Sequence, residues 1–95
     1  MRSKEINVDY KVEEVNQISI NSLLSKKHYD LINIDIEGLD ELIVNSIDFT
    51  KYQPTMIIYE SFDPFSNSKT KDLLYQNNYT LLFISGGSIG FVKKN

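Results

Sequence analysis

The segment Leu31-Ile32-Asn33-Ile34-Asp35-Ile36 constrains the fold of this chain more than any other. It is rich in β-branched residues and alternates strictly after Leu31, the pattern of a strand with two different faces. Ile32, Ile34 and Ile36 fill one face, while Asn33, Asp35 and Glu37 line the other. Gly38 breaks the strand. Leu39, Leu42, Ile43 and Ile47 then follow at helical spacing, with Asp40 and Glu41 in a first turn where the helix dipole favours acids. Pro54 holds Gln53 extended and ends that region. Thr55-Met56-Ile57-Ile58-Tyr59-Glu60 is a second apolar strand. Strand, helix and strand in this order predict a right-handed βαβ unit, with two neighbouring parallel strands joined by the helix that begins near Leu39.

The flanking elements extend the same alternation. Val15 to Ile18 is a candidate short strand, and Asn21 to Lys27 a short helix that Ser19 or Asn21 can cap. After a loop at Ser61 to Pro64, Ser66 or Ser68 caps a helix running to about Asn77 with Leu73 and Leu74 inward. Asn77-Asn78 stops it, because Asn tolerates the left-handed conformation. Tyr79 to Ser85 and Ile89 to Lys93 flank Gly86-Gly87, the strongest hairpin signal in the chain. The expected fold is therefore α/β, a mostly parallel sheet with a C-terminal antiparallel hairpin. Residues 1–13 carry no clear period and form an N-terminal segment, a frayed end or an orphan strand, ahead of a unit spanning residues 14–95. Leu31 to Ile36 would have an open edge, which Ile6 and Val8 can cover by pairing with the sheet; otherwise that edge favours self-association.

Composition narrows the function. Among 95 residues there is no Cys, so neither a disulfide nor a Cys-based zinc site is available. The net charge is −3 with no basic stripe, which argues against nucleic acid. No apolar run approaches a membrane span, and Met1 to Asn7 lacks the apolar core of a secretory signal. A soluble, cytoplasmic chain is the expectation.

The polar face of the first strand is where chemistry is expected. A parallel strand covered by helices on both sides should be apolar on both. Asp35 and Glu37 instead project the same way from its C-terminal end, where open α/β sheets form ligand crevices. Held close, two carboxylates repel, and at least one should have a raised pKa unless a cation or donor intervenes. The structural alternative is that both acids cap or complement the helix that follows, or that the strand is half exposed.

These residues also resemble a known family. Asn33-Ile34-Asp35-Ile36-Glu37-Gly38-Leu39-Asp40 is similar to the Lys-Ile-Asp-(Ile/Val)-Glu-Gly-Ala-Glu signature of FkbM-like methyltransferases. Ile18-Ser19-Ile20-Asn21-Ser22-Leu23-Leu24 resembles the Ser-Leu-Asp-Asp-Leu-Leu segment ahead of it. Pro54 to Glu60 resembles the family's Pro-x-x-Ile-x-x-Glu strand, and Asn78-Tyr79 stands where the family often has Gly-Tyr. The resemblance covers roughly Val15 to Val92, in order. It implies a Rossmann-like class I methyltransferase fold, use of S-adenosylmethionine, and O-methyl transfer to a hydroxyl of a small molecule or glycan. Leu31 to Ile36 would be the fourth strand, Asp35 the residue nearest the methyl donor, and Glu37 a residue that shapes the site or contacts the acceptor. Both are the implied catalytic pair, and Gly38 would permit the tight strand-to-helix turn.

The sequence departs from the family pattern in two places, where Asn33 replaces the Lys and Asp40 the second Glu. The first strand, its Gly-rich turn and the acid after the second strand, which a doubly wound cofactor site needs, are not found. Ser85 to Gly90 is the one Gly cluster and lies between strands, with no helix after it. The expectation is the C-terminal half of the domain, either a fragment or one that works beside a partner chain supplying the cofactor half, with weak cofactor binding alone. Two readings from other classes remain: a divalent-metal site for phosphoryl transfer or nuclease chemistry on Asp35 and Glu37, and a non-catalytic interaction module. His28 is expected in solvent. Glu60 is expected to cap a helix or face solvent, with joining the site as the alternative. Phe62 and Phe65 flank Pro64 in a loop and are expected to pack, with contact to an acceptor as the alternative.

Overall fold

A computed structural model describes residues 5–8, 17–36 and 38–94, and side chains from Ile20 onward. The order is β1 (Glu5–Val8), α1 (Gln17–Leu24), β2 (Leu31–Ile34), α2 (Asp40–Asn45), β3 (Met56–Glu60), α3 (Lys69–Gln76), β4 (Tyr79–Ser85) and β5 (Ser88–Lys93). The five strands form one sheet in the order β1-β2-β3-β5-β4. Strands β2 and β3 are parallel neighbours joined by α2, as the βαβ pattern requires, with Leu31 opposite Met56 and Asn33 opposite Ile58. Strand β1 runs parallel along the other edge of β2, pairing Ile6 with Ile32 and Val8 with Ile34. The segment ahead of residue 14 thus supplies an edge strand to the same sheet.

The sheet is mixed rather than mostly parallel. Gly86 adopts φ 61° and turns the chain between β4 and β5. Strand β5 then inserts antiparallel between β3 and β4, so two strand pairings are parallel and two antiparallel. Antiparallel pairing at β3 follows because a tight hairpin brings the chain back one strand away, without a crossover.

Alternation in β2 works as the sequence implies. Ile32 and Ile34 are buried, as is Ile36 just beyond, whereas Asn33 is half-buried and Asp35 exposed. The buried face continues across Ile57 and Tyr59 of β3 and Ile89 and Phe91 of β5. Ile20 and Leu24 of α1, Ile43 and Val44 of α2, and Leu74 of α3 join the same cluster. All three helices therefore cover one face of the sheet. Each fully buried large apolar side chain of this kind contributes about 2–3 kcal/mol of transfer free energy.

Three expected local features differ. Ile18 lies in α1, not in a strand, because a helix places Ile20 and Leu24, four residues apart, together on the core; Val15 lies outside the described residues. Asn21 does not cap α1 but sits inside it, donating to the Ser46 carbonyl and accepting from the Asp48 amide. Strand β2 stops at Ile34, two residues early, and α2 is shorter than the Leu39–Ile47 spacing suggests. The close of α3 agrees with the sequence. Ser68 accepts from the Lys71 amide at its start, and Asn78 takes φ 72° just after its end.

Candidate functional site

Beyond Ile34 the chain leaves the sheet and turns. The Leu39 amide donates to the Ile36 carbonyl at 2.8 Å, closing a tight turn in which Gly38 has φ 76°. A Cβ at Gly38 would meet nothing within 4 Å, so the backbone conformation, not space, calls for glycine. Asp40, the first residue of α2, is 3% exposed. One carboxylate oxygen accepts from the Ile36 amide and the other from the Glu60 amide, both at 3.0 Å. A single side chain thus fastens the end of β2 to the end of β3. Burial holds its carboxyl above the ordinary range, the two amide hydrogen bonds work the other way, and nearby Asp35 adds to the rise.

The next residue continues the link. Ser61 Oγ donates to Glu41 Oε2 at 3.2 Å, and the Ser61 amide donates to the Gly87 carbonyl at 2.9 Å. Three chain segments therefore converge past the C-terminal ends of β2 and β3: the turn into α2, the start of the loop after β3, and the β4–β5 turn. Between them lies a cleft of about 560 Å³, lined by Gly38, Asp40 and Glu41, by Glu60, Ser61 and Phe62, and by Gly87. None of these residues is basic, so the cleft carries unbalanced negative charge. Tyr59, whose ring stacks on Phe91, has a fully buried hydroxyl with no hydrogen-bond partner among the described residues. Its phenol is pushed above its usual range by burial, then by the charge of Glu41 and by Tyr75.

The sequence-predicted residues divide at this site. Gly38 lines the cleft and makes its turn. Asp35 is exposed on the segment between β2 and the turn, close enough for its charge to act on Asp40. Glu37 lies outside the described residues. Glu60, expected in solvent or at a helix cap with joining the site as the alternative, is exposed and also lines the cleft. Phe62 and Phe65, expected to pack, are 96% and 78% exposed. His28 is exposed beside Asp30, 3.2 Å away. Among the described residues no three His, Asp or Glu side chains converge to hold a metal ion, and no helix is long and apolar enough to cross a membrane. Asp40 and Glu41 were visible in the sequence only as first-turn acids. Their partners, Glu60 and Ser61, are far along the chain, and no local pattern announces them.

The family model described as "Methyltransferase FkbM domain" matches residues 2–81. The chain belongs to the FkbM methyltransferase domain family. No curated protein and no solved structure matches it. Membership covers β1 through the first part of β4 and includes every residue of the cleft except Gly87. In this FkbM domain the motif segment from Asn33 to Asp40 is the one that leaves the sheet, turns at Gly38 and ends on the buried Asp40.

Proposed function

We propose that this FkbM domain supplies the methyl-transfer face of an S-adenosylmethionine-dependent O-methyltransferase, on a Rossmann-like sheet whose nucleotide-holding elements are contributed from outside these 95 residues. The observation that carries the reading is the cleft itself. It lies past the C-terminal ends of two parallel strands, where open α/β sheets bind ligands, and carboxylates surround it with no cation among them. That donor set suits the methyl end of the cofactor, a sulfonium cation, and offers nothing to its adenosine end. When bound, S-adenosylmethionine supplies an electrophilic methyl group.

The chain's own residues do the rest. Asp35 accepts the proton of the acceptor hydroxyl as that oxygen becomes nucleophilic, the role of a general base. Glu41 and Glu60 accept hydrogen bonds from the acceptor and hold it over the strand ends. Asp40 keeps both strand ends at fixed separation, and Gly38 supplies the positive φ of the tight turn that leads to it. Glu37, by the family motif, contacts the acceptor.

The test is amide chemical-shift mapping with the full chain and either S-adenosylmethionine or S-adenosylhomocysteine. Shifts should gather at residues 35–41 and 59–62. They should saturate at lower concentration for the sulfonium than for the neutral thioether, because only the former gains from the carboxylates. Equal response to both ligands would defeat the electrostatic reading. Micromolar affinity, about −8 kcal/mol, would show that a complete cofactor site exists within this chain and overturn the division of labour.

A further inference from the structure

Charges that are scattered along the sequence are sorted by the sheet. Lys26 and Lys27 precede β2, Lys51 precedes β3, and Lys93 closes β5 with Lys94 after it. Because β5 runs antiparallel to β3, with Val92 opposite Met56, its end lies beside the start of β3. These lysines therefore gather at one end of the sheet, while Asp35, Asp40, Glu41 and Glu60 gather at the other. Two acids near the basic end are already engaged. An Asp30 oxygen lies 3.2 Å from His28 Nε2, and Asp48 accepts from the Thr50 hydroxyl and amide.

A cavity of about 310 Å³ opens among these lysines, between the segment that enters β2 and the one that enters β3. Lys27, His28 and Lys51 stand in its wall, and no acid does. Its two sides are fixed. The Thr55 amide donates to the Tyr29 carbonyl between them, and the Lys51 and Tyr52 amides both donate to the Asp48 carbonyl. Ser25 and Gln53, also in the wall, are engaged within the chain, the first with the Ser22 carbonyl and the second with the Phe49 carbonyl. The lysines are not so engaged. Lys27 Nζ sits 5.4 Å from the centroid of the buried Tyr29 ring, and among the described residues neither it nor Lys51 is ion-paired. Lysines gathered without counter-charges repel one another, and the walls of a cavity focus their field on whatever enters it.

We infer that this cavity is a second binding site, remote from the cleft, and that its ligand is a small phosphate monoester. Such a group carries about two negative charges and three strong acceptor oxygens, so it can engage ammonium groups on both sides at once. A carboxylate carries a single charge and is best met by the planar fork of an Arg, which the wall lacks. Lysines are the compact point charges that suit phosphate. At about 310 Å³ the cavity stands at the small end of ligand pockets, roughly 300–1,000 Å³, with room for a phosphate on a short organic stem. The half-buried Tyr52 ring and Pro54 offer that stem an apolar surface. The site shares no residue with the cleft, so the inference neither rests on the methyl-transfer reading nor falls with it.

Amide chemical-shift titration of the full chain tests it, with glycerol 3-phosphate as the probe and glycerol and glycerate as the neutral and carboxylate controls. The probe should give saturable shifts at residues 25–29 and 51–54 and leave residues 35–41 and 59–62 unmoved. Glycerate should bind more weakly, and glycerol should give no response. Lys27→Gln and Lys51→Gln should each weaken binding about tenfold, or about 1.4 kcal/mol, the scale of one charge-assisted hydrogen bond. Both side chains are exposed, so the fold persists, which unchanged amide dispersion verifies. Lys94→Gln removes a charge from the same end without touching the cavity, and should weaken binding less than about twofold, because exposed charges at a distance are screened. Vesicles containing phosphatidic acid separate a lipid headgroup from a soluble ligand. No saturable shift with glycerol 3-phosphate, an equal response to glycerate, equal weakening by Lys94→Gln, or cosedimentation with the vesicles in place of a response to the soluble probe overturns the site.

Discussion

The two ends of β3 are built on opposite plans. At its N-terminal end the buried polar groups find partners across the sheet and its loops. The buried hydroxyl of Tyr79 donates to the Pro54 carbonyl, the Thr55 carbonyl accepts from Lys93, and the Met56 amide donates to the Asp30 carbonyl. Phe49 packs edge-on against the Tyr79 ring, with centroids 5.6 Å apart. The cavity at that end, about 310 Å³, has Lys27, His28 and Lys51 in its wall. At the C-terminal end, 3% exposed Asp40 is itself a charged group kept from water, Tyr59 has a hydroxyl without a partner among the described residues, and Glu41 and Glu60 stand in an acidic cleft. Both tyrosines are equally buried and both phenols are pushed up, yet among the described residues only Tyr79 has a hydrogen-bond partner for its hydroxyl. The difference teaches where the fold is closed for stability and where it tolerates a buried acid and an unpartnered hydroxyl near an acidic cleft.

The largest expected effect breaks the open end. Asp40→Ala leaves the Ile36 and Glu60 amides unpaired and unties β2 from β3, and should cost about 2–4 kcal/mol in urea unfolding. A loss below about 0.5 kcal/mol, the size of an ordinary surface change, would mean that Asp40 does not organise the cleft. Next comes the closed end. Tyr79→Phe orphans the Pro54 carbonyl and should cost about 1–2 kcal/mol, measured the same way.

A pH titration of stability then sharpens the comparison. The Asp40 carboxyl titrates higher in the folded chain than its ordinary 3.8, so the folded state binds the extra proton in that interval. Its contribution therefore grows as pH falls through the folded value towards 3.8 and is smallest at neutrality, the opposite of a salt-bridged carboxylate. Asp48, lowered chiefly by its hydrogen bond from the Thr50 hydroxyl, works in the other direction below 3.8. Melting curves of the native chain and of Asp40→Asn should thus differ in slope above 3.8, with the native chain gaining relative stability on acidification. Parallel slopes would remove Asp40 from the account.

The smallest effect is the most telling. Tyr59→Phe deletes a hydroxyl that has no partner among the described residues, and should leave stability within about 0.5 kcal/mol or raise it. A loss matching that of Tyr79→Phe would erase the asymmetry between the two ends of the strand.

Much of this was legible in the sequence because it depends on local periods. Alternation in Leu31 to Ile36 gave the buried isoleucines, and the spacing of strands and helix gave the parallel pair. Gly38 was legible because its turn needs a φ that other residues resist. The errors share a cause. Val15 to Ile18 reads as a short strand, but Ile18 lies in α1, from which Ile20 and Leu24 reach the core together. Phe62 and Phe65 looked like packing residues, since nothing in their neighbours reveals that Lys71 fixes the loop outward.

By itself the sequence determined the order of elements, the hairpin at Gly86, the family, and the stretch from Asn33 to Asp40 as the place where chemistry is expected. Only the tertiary structure decided which acids face one another. Asp40 meets the Glu60 amide across 20 positions, Glu41 meets Ser61 across another 20, and Gly87 arrives because β5 folds back against β3. A residue's face within an element follows from a period of two or 3.6, which neighbours encode. Which element ends converge depends on strand order and on the antiparallel return of β5, and those are set by burial summed over the whole sheet.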